Sequence, residues 1–126
     1  MPIAYRTILT INNHLKTDLY DGDPKLQAGS IDGVMPDYIR SGTQQTVYIS
    51  ASGSFAGSSG AILYKTHNSA RDREEKLAFE FKCVNEEANF VKFSSSMPNQ
   101  LGVKVDPYTP TDHPLYATFT ITQEEA

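Results

Sequence analysis

Apolar and polar side chains alternate through much of this chain, with little sign of the wider spacing of a helix. In residues 77–83, Leu77, Phe79, Phe81 and Cys83 fall on one face while Glu80 and Lys82 fall on the other. This is the cleanest period-two stretch, and it predicts a central core strand. Similar patterns predict strands at 3–11, 46–51, 61–65, 90–93, 101–105 and 115–121. Asn12-Asn13-His14 reads as the turn that ends the first of them. Between 18 and 46 the chain is dense in Gly, Pro, Asp and Ser, with apolar spots only at Leu26, Ile31, Val34 and Ile39. Long loops around short strands are expected there. The run "HNSARDREEK" at 67–76 has six charges in its last six positions and reads as a solvated loop or hairpin tip.

No window places apolar residues at helical spacing over three capped turns. A helix over 70–82 would put Phe79 and Phe81 on different faces. Short strands with turn signals every eight to twelve residues or so predict an antiparallel β-sandwich or a closed barrel.

Composition narrows the picture. With 126 residues, 39% hydrophobic and 21% charged, the chain suits one domain over 1–126 with a core of its own. The net charge of −4, with scattered basic residues, argues against a nucleic-acid partner. Residues 1–6 lack a basic stretch followed by an apolar one, so a soluble chain without a Sec-type signal peptide is expected. The single Cys83 has no disulfide partner in the chain and sits among apolar alternators, where a small buried hydrophobe fits better than a nucleophile.

The stretch "SFAGSSGAILYK" places Gly57 and Gly60 ahead of a strand pattern, without the following helix or the Gly-Lys-Ser/Thr ending of a phosphate loop. It reads as a connection between strands. His14, His67 and His113 each stand in turn-like contexts with none paired at i+2 or i+4. The Asp18, Asp21, Asp23 run lacks the spacing of an EF-hand loop. No serine lies in a nucleophile elbow, and Glu86 and Glu87 have no partner carboxylate at a defined separation. The expectation is therefore a binding protein and not an enzyme, with no catalytic residues, metal or cofactor. Tyr20, Tyr38 and Tyr108, with Arg40, are the candidate contact surface, since tyrosine offers a flat apolar face and a polar tip.

The order of segments "INNH", "LQAGS", "TVYISASGSF", "AGSSGAILYK", "LAFEFKCVNEEANFVKFSS" and "LYATFTI" resembles the aegerolysins, including the small component, about 14 kDa, of bacterial binary insecticidal toxins. The most specific piece is carried by Phe55, Gly57, Gly60 and Tyr64, with Asn12 and Asn13 after the first strand. The resemblance implies a single-domain antiparallel β-sandwich in which Gly57 and Gly60 form a structural turn. It also implies a membrane-lipid- or receptor-binding component of a cytolytic or insecticidal pore-forming toxin, which acts with a larger partner protein and leaves room for an oligomer on the membrane. Such a chain would be intracellular in the producer or released non-classically, and would act at target-cell membranes. The alternative is a carbohydrate-binding lectin of the same sandwich fold without pore formation.

Overall fold

The computed structural model describes residues 5–52, 57–68, 72–84, 87–96, 101–109 and 114–123. Phe55, Glu86 and His113 lie outside the described residues. The strands are β1 (Thr7–His14), β2 (Tyr20–Ala28), β3 (Ser30–Ile31), β4 (Thr43–Ser50), β5 (Ser58–Asn68), β6 (Arg73–Cys83), β7 (Phe90–Ser95), β8 (Leu101–Val105) and β9 (Leu115–Gln123). They form a β-sandwich of two sheets, one in the order β3-β4-β1-β9-β8 and the other β2-β5-β6-β7. The expected sandwich is present, with one addition. β1 pairs parallel to β9, while the other strand pairings among the described residues are antiparallel. A parallel pair needs a long connection, and these two strands stand near opposite ends of the chain.

Alternation explains the core. Leu9 and Ile11 of β1, Val47 and Ile49 of β4, and Leu115, Ala117, Phe119 and Ile121 of β9 are buried on one inner face. Ile62 and Tyr64 of β5 and Leu77, Phe79, Phe81 and Cys83 of β6 meet them from the other sheet. The Phe79 ring lies edge-on to Phe119 at 5.1 Å, joining the two layers, and it also contacts Phe93 at 5.2 Å. Each buried Leu, Ile, Val or Phe among them contributes about 1.5–3 kcal/mol relative to exposure.

Three expectations are corrected. Asn12, Asn13 and His14 do not form a turn but complete β1. Asn13 is fully buried: its Nδ2 donates to Ile39 O at 2.8 Å and Thr17 O at 3.1 Å, and its Oδ1 accepts from Leu15 N. The side chain does the work of a turn one residue later than the sequence suggests. Second, the loop-like stretch from 18 contains the nine-residue strand β2. β2 is an edge strand, where a proline such as Pro24 is tolerated; its register shifts between Tyr20 and Asp23, taking up Asp21 (φ 54°) and Gly22, and again between Leu26 and Ala28. Third, the charged run at 67–76 belongs to the β5–β6 hairpin, as one of its two readings has it, but more of it is strand than a loop or tip implies: His67 pairs with Glu74 and Asn68 with Arg73. Glu75 keeps step with Leu77 and is buried, held by Arg73 Nε at 2.8 Å and Asn68 Nδ2 at 3.4 Å.

Candidate functional site

The outer face of the four-stranded sheet carries a groove of about 860 Å³. Strand register builds its floor. Asp23 stands opposite Leu63, Leu63 opposite Ala78 and Ala78 opposite Ser94, one row across β2, β5, β6 and β7. Because Leu77 and Phe79 point inward, Lys76 and Ala78 must point outward. The small side chains of Ala78 and Ser94 leave the hollow, and longer ones from neighbouring rows wall it.

Those walls carry both signs of charge: Lys25, Lys65 and Lys76 against Asp21, Asp23 and Asp37. Lys25 Nζ lies 3.2 Å from Asp23, and Lys65 Nζ lies 3.6 Å from Asp21 and 3.5 Å from Glu74. Lys76 has no ion pair among the described residues. Exposed pairs of this kind hold together by about 0–1 kcal/mol, so a ligand can replace them at little cost. Asp37 reaches the groove because its loop is pinned at two points. Tyr64 Oη donates to Pro36 O at 2.6 Å, and Gly22 N donates to Asp37 O. Burial pushes the Tyr64 phenol well above its ordinary pKa, and the charge of Asp37 adds to the effect, so Tyr64 remains a donor.

A smaller depression of about 350 Å³ shares Lys25 with the groove and continues along the same face past Ala61 and Glu80 to Phe90. Phe90 is 44% exposed. A charged hollow is thus continuous with an exposed aromatic ring. Among the described residues, no group of three His, Cys, Asp or Glu side chains is placed to hold a metal ion, and no helix is long and apolar enough to cross a membrane.

Tyr20, Tyr38 and Arg40 come together at one end of this face. Leu19 and Ile39 exchange backbone hydrogen bonds of 2.9 Å, which sets Tyr20 beside Tyr38 and Arg40 close by. The tyrosines border the groove without lining it, each next in sequence to an aspartate that does. Tyr20 opens β2 and donates to Glu74 Oε2 at 2.7 Å, whereas Tyr38 is 60% exposed. Tyr108 stands apart from them. It is half-buried against the core and accepts a hydrogen bond from Val91 N on edge strand β7. Gly57 precedes β5 and Gly60 lies within it, both at positive φ. The groove lysines were not singled out in the sequence, although outward positions at 63, 65, 76 and 78 follow directly from the alternation.

No protein-family model and no curated protein sequence matches the chain. Among solved structures, IP-1A from Alcaligenes faecalis is similar with a TM-score of 0.70 at 11% identity, covering 98% of this chain and 95% of that one. The lipid-binding protein Nakanori is similar with a TM-score of 0.64 at 11% identity, covering 95% of this chain and 71% of that one. At such identity the likeness is one of fold, and the chain shares its sandwich with IP-1A and with Nakanori.

Proposed function

We propose that the protein is a membrane-lipid-binding component of a pore-forming toxin, cytolytic or insecticidal, acting with a larger partner protein that completes the pore. The observation that carries this reading is the groove with charges of both signs, continuous with exposed Phe90. A lipid headgroup bearing both a phosphate and an amine would meet lysines and aspartates there, while the aromatic ring contacts the apolar boundary below. The shared fold of a lipid-binding protein supports the same direction. In this reading the protein binds and does not catalyse, and it acts from solution at the target-cell membrane.

The test is co-sedimentation with liposomes of defined composition, sphingolipid-containing ones included, with dye release followed in the same tubes. Binding without leakage is the expected result. Leakage by the protein alone would remove the need for a partner, and failure to bind any composition would overturn lipid recognition.

A further inference from the structure

The second sheet presents a different surface. Ile8 of β1 stands opposite Tyr48 of β4 on one side and Tyr116 of β9 on the other. Both tyrosines point outward and are 46% and 64% exposed, with Ile8 half-buried between them. Two strand spacings separate the backbone positions of the two tyrosines, about 10 Å. That is the length of a disaccharide repeat in an extended β-linked sugar chain.

The neighbouring rows are polar, and on the three central strands they are uncharged, with Lys104 of β8 standing opposite Thr120 at the sheet edge. Thr10 sits between Thr46 and Thr118, with a 3.1 Å hydroxyl contact to Thr46. Asn12 sits between Gln44 and Thr120, and its Nδ2 donates to Thr120 Oγ1 at 3.2 Å. On β4, β1 and β9 the outward positions 44–50, 8–14 and 116–122 hold no Asp, Glu, Lys or Arg. The groove on the opposite layer carries lysines and aspartates along its walls, so the two faces suit different ligands.

We propose that this face binds a neutral, extended β-linked oligosaccharide, whose rings stack on Tyr48 and Tyr116 and whose hydroxyls meet the threonine and amide rows. Charge complementarity selects the occupant. A neutral polyol laid across the three central strands forms hydrogen bonds there without desolvating a carboxylate, ammonium or guanidinium group, whereas an anionic chain finds no lysine or arginine on them. Tyrosine suits the ring, because its flat face receives the axial C–H groups of a pyranose while its hydroxyl stays solvated. The inference does not depend on lipid binding, since it concerns the other layer of the sandwich.

The test is retention on insoluble cellulose and chitin, followed by calorimetric titration with soluble cello- and chito-hexaose. The wild type is compared with Tyr48→Ala, Tyr116→Ala, their combination, and Lys76→Glu as a groove control. Unchanged melting temperatures establish that each variant is folded. Retention of the wild type, a loss of about tenfold or more from each tyrosine change, near abolition in the double variant, and no effect of Lys76→Glu are expected. The proposal is overturned if the wild type is not retained on either polymer, or if it is retained equally by the double variant. It is also overturned if the wild type is a dimer that Tyr116→Ala converts to a monomer while no sugar binds, because a second copy then occupies the face. Liposome binding that survives both tyrosine changes keeps the outcome distinct from that of the lipid reading.

Discussion

The Tyr20 phenol donates a 2.7 Å hydrogen bond to Glu74 Oε2, tying the first residue of β2 to the second of β6 across β5. That bond is the main reason the Tyr20 pKa is pushed up from 10.0 to about 12, with burial and the charges of Glu74 and Asp21 adding to it. The same bond, with help from Lys65, holds the Glu74 carboxyl below its ordinary 4.5, against the opposing effect of burial. Glu74→Gln is therefore expected to bring the Tyr20 titration down toward 10, read from phenolate absorbance. The stabilisation from Tyr20 is complete below pH 10 and disappears as the pH rises to about 12. That from Glu74 is present above pH 4.5 and is lost as the pH falls through its lowered pKa. Tyr20→Phe should flatten both limbs of the stability profile.

Gly60→Ala is expected to destabilise the sandwich by about 2–4 kcal/mol. Its φ is 141°, and an added Cβ would stand 2.5 Å from Lys25 O and 2.7 Å from Leu26 Cα, where β2 shifts register. Gly33→Ala provides the comparison. Its φ is 90°, but a Cβ there meets nothing within 4 Å, so a loss of about 1 kcal/mol from backbone strain alone is expected. Urea unfolding of the two variants measures the difference.

Asn13→Ala removes the donor shared by Ile39 O and Thr17 O and the acceptor of Leu15 N, all at the buried end of β1. A loss of about 2–4 kcal/mol is expected. Because Ile39 is paired with Leu19 between Tyr38 and Arg40, hydrogen exchange of the 32–42 segment should rise more than that of β6.

Ala78→Phe fills the groove floor between Leu63 and Ser94, and Lys76→Glu reverses one wall charge without breaking an ion pair among the described residues. Each is expected to weaken liposome retention by about tenfold, equivalent to about 1.4 kcal/mol. Melting temperatures should change little, since both side chains face solvent.

Strands whose alternation was clean were legible in the sequence. Leu77, Phe79, Phe81 and Cys83 are all buried as their spacing requires. β2 was hidden because an edge strand tolerates Pro24 and Gly22, residues that read as turns when the pairing partner is unknown. Glu75 was hidden for a different reason: a charge run looks solvated until register gives one of its members the buried phase. The groove depends on Ala78 and Ser94 lying in one row, a relationship between strands that no single window contains. Tyr48 and Tyr116 alternate with buried neighbours, so their outward direction was readable, but their alignment through Ile8 required the parallel pairing with β9.

That parallel pairing also governs when the molecule comes into being. Asn12 bonds to Thr120 across a separation of 108 residues, and Phe79 waits for Phe119. A chain still on the ribosome before residues 115–123 emerge leaves one flank of β1 open and the aromatic stack incomplete. No fragment that ends before β9 sets Tyr116 beside Ile8 and Tyr48, so that face is complete only in molecules whose translation has passed the ninth strand.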